Sequence, residues 1–225
     1  MMIETFADSD ALADAVVDAT LDALGWGITE RGWATLVGTG GRTPAPIYDR
    51  LARAVFDWRH VTVTLSDDRF VPVTSPDSNE RLVRERLLVD QAAAADFLPL
   101  RHNAPDPEAS ALIAEPGLRA LGGFDMLFLG MGEDGHVASL IPGSPVLAAG
   151  MDLHGARWAI GVPAGVGSPP VARITLTLAA LLMARQTLIL ISGATKRAIV
   201  ETGGGLPVHV LLEQAKSPVR VLWTP

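Results

Sequence analysis

The sequence predicts an α/β fold: a three-layer, doubly wound and mostly parallel sheet with helices on both faces, Rossmann-like in architecture. Short aliphatic and β-branched runs read as strands that are apolar throughout, which is typical of strands buried on both faces. Helical patterns alternate with these runs, as in chains built from β-α-β units. With 225 residues, 48% of them hydrophobic, the chain can bury a sizeable core. We therefore expect one α/β domain over residues 1–225.

The first elements follow from apolar spacing and capping residues. Apolar residues at helical spacing predict a helix over residues 10–24, with Ser9 as its N-cap and Gly25 as its stop. The apolar run Trp33–Val37 then predicts a strand. A glycine turn separates it from a second helix over residues 45–55.

The rest of the chain continues the alternation. Val61–Leu65 is a β-branched strand, Ser78 can cap a helix that continues to about Val89, and Phe124–Leu129 is a buried strand. The segment Asn103–Pro116 is proline-rich and polar, and no helix or strand is assigned to it. Further predicted strands and helices are Trp158–Val162, Arg173–Leu176, Leu178–Ala184, Thr187–Ile191, Ala194–Glu201 and Val219–Trp223, of which the third and fifth are helical.

Composition excludes several function classes. Lys and Arg number 18 against 25 for Asp and Glu, and a net charge of -7 argues against nucleic-acid binding. The absence of cysteine removes disulfides, thiolate metal sites and cysteine nucleophiles. The first ten residues carry no cation, unlike a secretory signal, and the longest aliphatic run, Leu178–Ala184, is too short to span a membrane. We expect a cytoplasmic protein with neither a nucleic-acid nor a membrane partner.

A glycine-rich turn follows the strand predicted at residues 33–37. Because a proline opens the helix after it, free backbone N–H groups and the positive helix end point at one spot, which suits a phosphate. A tight turn without a ligand is the alternative, since the full spacing of a nucleotide-binding loop is missing. The candidate phosphate ligands here are Thr39, Gly40, Gly41, Arg42 and Thr43.

Charged residues lie at the ends of three other predicted strands. Asp67 and Arg69 project to the same side of an extended backbone, so a carboxylate and a cation could share one pocket. A solvated strand end with a local ion pair is the alternative. Arg173 and Lys196 lie at the margins of apolar strands, where either could be an ordinary surface residue. Lys196 is the better ligand candidate because it follows a strand's carboxyl end.

An imidazole and a carboxylate lie two residues apart in the glycine-rich turn Gly130–His136. The glycines leave the His136 ring accessible, and Asp134 is close enough to orient it, as acid–base chemistry requires. We interpret the other histidines as structural, namely His60, His102, His154 and His209. A metal site is poorly supported, because the sequence contains no pair of histidines four residues apart.

Taken together, these motifs resemble the 6-phosphogluconolactonase family, which shares its fold with the glucosamine-6-phosphate deaminases. The family's most specific segment, Gly-Met-Gly-x-Asp-Gly-His-x-Ala-Ser-Leu-Phe-Pro-Gly, is similar to Gly130–Gly143, where Ile141 replaces the Phe. The other similar segments, in chain order, are the phosphate loop at 39–44, Asp-Asp-Arg-Phe-Val-Pro at 67–72, Asp-Ser-Asn at 77–79, Arg-Ile-Thr-Leu-Thr at 173–177 and Gly-Ala-x-Lys at 193–196.

The resemblance implies hydrolysis of 6-phospho-D-glucono-1,5-lactone to 6-phosphogluconate by a monomer that needs no metal or cofactor. It implies that His136 takes a proton from the attacking water and returns it to the ring oxygen. Asp134 would orient His136, and Asp67 would help place the lactone. The phosphate would be held by Arg69, Lys196 and the loop Thr39–Thr43, with Arg173 as a weaker candidate for the same task.

Two other functions stay open at this point. The deaminases typically read Gly-His-x-Ala-Phe-Asn-Glu-Pro where this chain has residues 135–142, and the missing Asn-Glu pair disfavours deamination. A non-catalytic sugar-phosphate sensor is the other possibility, because related folds serve as effector domains of transcription regulators. Only one predicted helix precedes the phosphate loop, which leaves little room for a DNA-binding segment.

Overall fold

The computed structural model describes residues 3–225, which form ten strands and eight α-helices. The strands are β1 (Ile3–Thr5), β2 (Ala34–Gly38), β3 (Val61–Leu65), β4 (Asp67–Arg69), β5 (Asp96–Phe97), β6 (Met126–Gly130), β7 (Ala159–Val162), β8 (Arg173–Leu176), β9 (Thr187–Ser192) and β10 (Val219–Thr224). The helices are α1 (Ser9–Arg31), α2 (Ala45–Arg53), α3 (Asn79–Arg86), α4 (Pro107–Ala120), α5 (Leu147–Gly150), α6 (Leu178–Leu181), α7 (Ala194–Thr202) and α8 (Pro207–Gln214).

Seven strands form a parallel sheet in the order β1-β10-β9-β6-β2-β3-β5. From β2 the chain proceeds to β3 and β5 on one side, then returns to β6 on the other side. The topological switch point therefore lies between β2 and β6, and doubly wound sheets bind ligands in the crevice beyond the carboxyl ends of strands at such a point. The predicted fold class is confirmed, and the loops that follow β2 and β6 flank the crevice.

A second, three-stranded antiparallel sheet has the order β4-β8-β7. The sequence did not separate its strands from the parallel sheet, because β7 and β8 are buried along their whole length, like the central strands. Helix α4 packs against both of them. The register pairs Arg69 with Arg173, which brings two predicted site residues to neighbouring strands.

Helix α1 differs from its predicted limits at both ends. The Asp8 carboxylate caps it by accepting the N–H groups of Asp10 (3.0 Å) and Ala11 (2.8 Å), so Ser9 is not the N-cap. The helix continues past Gly25 and Gly27, since each internal glycine costs only about 1 kcal/mol. It ends at Gly32, whose φ of +82° is the left-handed conformation that terminates many helices.

Helix α4 occupies the segment Asn103–Pro116 that had no predicted element. The Asp106 carboxylate accepts the N–H of Ala109 at 2.7 Å, and Pro107 occupies the first turn, where its missing N–H costs nothing. Pro116 inside the helix was the misleading signal. Packing of the buried helix face, which includes Leu118, outweighs the cost of that proline.

The other predicted elements hold with ends that shift by a few residues, and Ser78 caps α3 as predicted. The strands β1, β4 and β5, the short helix α5, and helix α8 in the segment after Lys196 were not predicted. The buried side chains form one continuous core cluster around the parallel sheet. Within residues 3–225, no helix combines the length and the apolar character needed to cross a membrane.

Candidate active site

A cavity of about 570 Å³ opens at the carboxyl edge of the parallel sheet, beside the switch point. Its walls are the loops that follow β2, β6 and β9, together with side chains from β4 and β8. Asp134 does not line the cavity but lies behind His136. The other site residues named from the sequence all line it: Thr39, Gly40, Gly41, Arg42, Thr43, Asp67, Arg69, His136, Arg173 and Lys196.

The imidazole of His136 is oriented by Asp134. Its Nδ1 lies 2.6 Å from Asp134 Oδ1, and the same oxygen accepts the backbone N–H of His136 at 3.2 Å. Because an ionised carboxylate only accepts hydrogen bonds, Nδ1 carries the hydrogen and Nε2 carries the free lone pair. The side chain of His136 is 23% exposed and lines the cavity. The pair can therefore take a proton from a water molecule held in the cavity.

Gly132 makes room for this pair, and Gly135 allows the turn between its two residues. A Cβ atom at Gly132 would overlap the His136 ring and lie 2.5 Å from Asp134 Oδ1. Gly135 has a φ of +75°, and a Cβ atom there would lie 2.6 Å from the side chain of Leu206. The glycine-rich turn thus brings the backbone close enough for the ring and the carboxylate to meet above it.

Asp67 is held from several sides. One carboxylate oxygen accepts the Ser139 hydroxyl at 2.5 Å, and the side-chain amide of Asn79 donates to the Asp67 carbonyl at 2.8 Å. The nearest guanidinium nitrogen of Arg173 lies 3.9 Å from the same carboxylate oxygen. Asp67 is only 5% exposed, so it faces the cavity in a single orientation.

Asn79 and Ser139 are site residues that the sequence analysis missed. The Asn79 side-chain oxygen accepts a hydrogen bond from Arg69 Nη1 at 2.8 Å and so positions that guanidinium at the cavity. Gly40 has no side chain where the Asn79 amide lies, and a Cβ atom there would overlap it. The Asp-Ser-Asn segment at 77–79, which resembles a family motif, carried a usable signal for Asn79. Nothing in the sequence pairs Ser139 with Asp67.

The loop after β2 is hydrogen-bonded to Tyr48 and lines the cavity. The buried hydroxyl of Tyr48 accepts the Thr39 N–H at 2.8 Å and donates to the Thr39 carbonyl at 2.7 Å. Burial raises the pKa of Tyr48 above its usual range, so it remains a donor. The amides of residues 40–43 donate to no acceptor among residues 3–225. Helix α2 begins at Ala45, as predicted, and its start faces the same space. Free amides at a helix start favour an anion.

The positive side chains of the cavity differ in exposure. Arg42 is exposed, and Lys196 is half-buried in the first turn of α7. Arg173 is only 3% exposed. The first two can move to meet a ligand, whereas protein surrounds the third.

Asp68 lies next to the site and binds the first turn of α3. Its carboxylate accepts the backbone N–H groups of Asn79 (2.7 Å), Arg69 (2.8 Å) and Glu80 (3.2 Å). Burial raises the pKa of Asp68 to about 7, although these hydrogen bonds act in the opposite direction. Asp68 therefore connects the strand end that carries Arg69 to the helix that carries Asn79.

Asp68 predicts a pH-dependent stability. Its pKa of about 7 in the folded chain lies above the value of about 3.9 in an unfolded chain. The unfolded chain loses the proton first, so stability falls as the pH rises from about 4 to about 7 and is level above that range. Urea unfolding at several pH values should show a decline of up to about 4 kcal/mol that Asp68→Asn lacks. A wild-type advantage that grows with pH would contradict it.

The other histidines lie away from the cavity, whose lining includes none of His60, His102, His154 and His209. His209 is buried, with Nε2 lying 2.8 Å from the carbonyl of Ile199. Among residues 3–225, no three His, Asp or Glu side chains converge as they would around a metal ion.

The fold and the cavity define a class: α/β proteins that hold a small ligand at the switch point, between an anion-binding turn and an oriented imidazole. Comparison with known proteins gives the family. The chain belongs to the family of glucosamine-6-phosphate isomerases and 6-phosphogluconolactonases, whose family description matches residues 7–222.

Individual relatives agree over nearly the whole chain. A 6-phosphogluconolactonase of Caulobacter vibrioides is 42% identical over 223 residues, which cover 98% of this chain and 96% of the relative. One from Rhizobium meliloti is 39% identical over 98% of this chain and 97% of its own length. The crystal structure of a 6-phosphogluconolactonase from Shewanella baltica superimposes with a TM-score of 0.94 at 31% identity, covering 100% of this chain and 98% of that one.

A monomeric glucosamine-6-phosphate deaminase has the same fold, with a TM-score of 0.79 at 22% identity over 100% of this chain and 97% of that one. The fold is therefore common to both branches of the family. The residues of the site distinguish the lactonases from the deaminases.

Proposed function

We propose that this protein hydrolyses 6-phospho-D-glucono-1,5-lactone to 6-phosphogluconate, as the names of its full-length relatives suggest. The observation that carries the proposal is the free Nε2 of His136, oriented by Asp134, in the same cavity as the open amides of residues 40–43. An ester hydrolase for a phosphorylated lactone needs both: a base for water and an anion site that holds the substrate by its far end.

The steps follow from these groups. The amides of residues 40–43, Arg42, Lys196 and Arg69 bind the phosphate, and Asp67 accepts hydrogen bonds from lactone hydroxyls. His136 Nε2 takes a proton from water as the water oxygen bonds to the carbonyl carbon. The tetrahedral intermediate then collapses, the bond to the ring oxygen breaks, and the imidazolium returns its proton to that oxygen. Binding the remote phosphate keeps the carbonyl against the water during both steps.

Deamination is disfavoured by the residues that follow His136. The deaminase pattern has Asn-Glu where this chain has Leu140 and Ile141, which are 1% and 2% exposed in the core. The cavity thus lacks the extra carboxylic acid of that pattern at this point.

We further propose that the protein is cytoplasmic and monomeric and that residues 1–225 form a single domain. One core cluster joins the elements of both sheets, which supports the single domain. The absence of cysteine fits a reducing compartment.

A coupled assay tests the function. The lactone is generated from glucose 6-phosphate in place, and 6-phosphogluconate is followed with its own dehydrogenase against the spontaneous hydrolysis rate. We expect the protein to raise the rate far above this background. A protein that binds 6-phosphogluconate yet leaves the rate at background would instead be a sugar-phosphate sensor.

Arg69→Ala should weaken the binding of phosphorylated ligands far more than that of unphosphorylated gluconolactone, because a charge-assisted contact to phosphate is lost. Calorimetry with 6-phosphogluconate and with gluconolactone checks the difference. Arg59→Ala is a matched control, since Arg59 is 76% exposed and lies outside the cavity. Equal losses for both ligands would point to a disturbed fold and contradict the assignment of Arg69.

A further inference from the structure

Arg173 is a buried cation with unused donors. It lies on β8 and lines the cavity, yet it is only 3% exposed. Its Nη2 donates to the Pro169 carbonyl at 2.9 Å, and its Nη1 lies 3.4 Å from the Ser139 hydroxyl oxygen. Its Nε is buried without a partner among residues 3–225. Buried charges are normally fully paired, so a guanidinium left in this state is arranged for an anion from outside.

Asp67 does not satisfy this cation. Its nearest carboxylate oxygen is 3.9 Å from Arg173 Nη1, beyond hydrogen-bond distance, and is already bonded to Ser139 at 2.5 Å. The carboxylate offsets the positive charge without occupying the N–H groups. Burial lowers the pKa of Arg173, which reflects the cost of keeping the charge in this enclosed place.

Arg173 lies beside Arg69 in the β4–β8 register, and its strand also contacts the loop that carries the imidazole. Ser139 follows His136 by three residues, and its N–H donates at 3.0 Å to Thr175 Oγ1, on the same strand as Arg173. Between His136 and Ser139, Ala138 has a φ of +49°, a backbone conformation that residues other than glycine rarely adopt. Such strain persists only where neighbouring contacts enforce it. The strained turn thus connects the His136 loop directly to β8.

We propose that Arg173 donates hydrogen bonds to the oxyanion that forms on the lactone carbonyl, and that it does not bind the phosphate. This role rests on the proposed lactone hydrolysis. As water bonds to the carbonyl carbon and His136 takes its proton, the carbonyl electron pair moves to the oxygen. The guanidinium N–H groups then donate hydrogen bonds to this negatively charged oxygen. When that pair reforms the double bond, the ring oxygen leaves and takes the proton back from His136.

The assignment of Arg173 to the oxyanion, and of other groups to the phosphate, follows from the rigidity of Arg173. A transient charge is best stabilised by donors already held in place in a water-poor site, because they need no reorganisation during the reaction. Arg173 meets this condition. The phosphate carries its charge throughout, so exposed groups such as Arg42 and the open amides of residues 40–43 suffice for it.

The test separates turnover from phosphate affinity. Arg173→Met and Arg173→Lys are assayed for kcat and KM on the phosphorylated lactone, and for the Kd of glucitol 6-phosphate, which has a phosphate but no carbonyl group. We expect kcat to fall by about 10²- to 10³-fold, as for loss of an oxyanion donor, with the Kd nearly unchanged. Lys196→Met is the matched comparison and should weaken glucitol 6-phosphate binding instead.

Each other outcome overturns the proposal. A raised Kd for glucitol 6-phosphate with kcat retained would make Arg173 a phosphate ligand, and wild-type kcat in both variants would remove it from catalysis. Arg173→Lys keeps a cation opposite Asp67, so it tests the role even if Arg173→Met does not fold. Wild-type protein that fails to exceed spontaneous hydrolysis would refute the lactonase function itself, and this role with it.

Discussion

Replacing His136 by alanine is expected to lower kcat by about 10²- to 10⁴-fold, the usual contribution of a positioned general base, with little change in the affinity for 6-phosphogluconate. The loss would fall on kcat because the ring contributes a proton acceptor, while the phosphate is bound by other groups. Steady-state kinetics with freshly generated lactone, corrected for spontaneous hydrolysis, measures the first quantity. Calorimetry with 6-phosphogluconate measures the second.

His154→Ala is a matched control for this variant. His154 lies outside the cavity, and within the described residues 3–225 only its backbone N–H is hydrogen-bonded, to Asp152 at 2.9 Å. Its removal should leave both quantities near those of the wild type. Unchanged turnover in His136→Ala would exclude the imidazole as the base, and the acceptor of the water proton would have to be another group that lines the cavity, such as Asp67.

Adding a single methyl group at Gly132 should be nearly as damaging. A Cβ atom there would overlap the His136 ring and approach the Asp134 carboxylate to 2.5 Å, so the pair would have to move apart or out of the cavity. Displacement of a reacting group by about 1 Å can cost about 10²-fold in rate, so Gly132→Ala should lower kcat by about that factor. The overall fold should persist, because the backbone at Gly132 does not require the left-handed conformation.

Gly205→Ala provides the matched control. Gly205 is exposed, has no neighbouring atom within 4 Å of a Cβ position, and needs no left-handed backbone. Both variants should melt near the wild-type temperature, and only Gly132→Ala should lose activity. Full activity in Gly132→Ala would mean that the His136–Asp134 contact can rearrange without cost, which would remove Asp134 as a positioning residue.

Local patterns were enough for the strands of the crevice. The runs at Leu36 and Phe128 are mostly apolar because these strands are buried on both faces, and each is followed by glycines where the chain turns over the sheet edge. The nature of the fold places both turns at one switch point. The proximity of the phosphate loop and His136 could therefore be anticipated without coordinates.

Patterns failed where long-range packing overrides a local signal. Gly25 and Pro116 read as helix breakers, yet both lie inside helices that packing stabilises. The strands β7 and β8 are as apolar as those of the main sheet, so the sequence did not reveal their antiparallel pairing.

The sequence by itself determined the fold class, the two glycine turns and the residue types of the candidate site, because these depend on periodicity and short motifs. Only the tertiary structure decided which contacts the side chains make. Ser139 is hydrogen-bonded to Asp67, Asn79 is hydrogen-bonded to Arg69, and Arg173 is buried with an Nε that has no partner among residues 3–225. Ser139 and Asp67 are 72 positions apart in the chain, and Arg69 and Asn79 belong to different elements. Hydrogen-bond geometry and burial arise only when packing brings such residues together, and no local pattern encodes them.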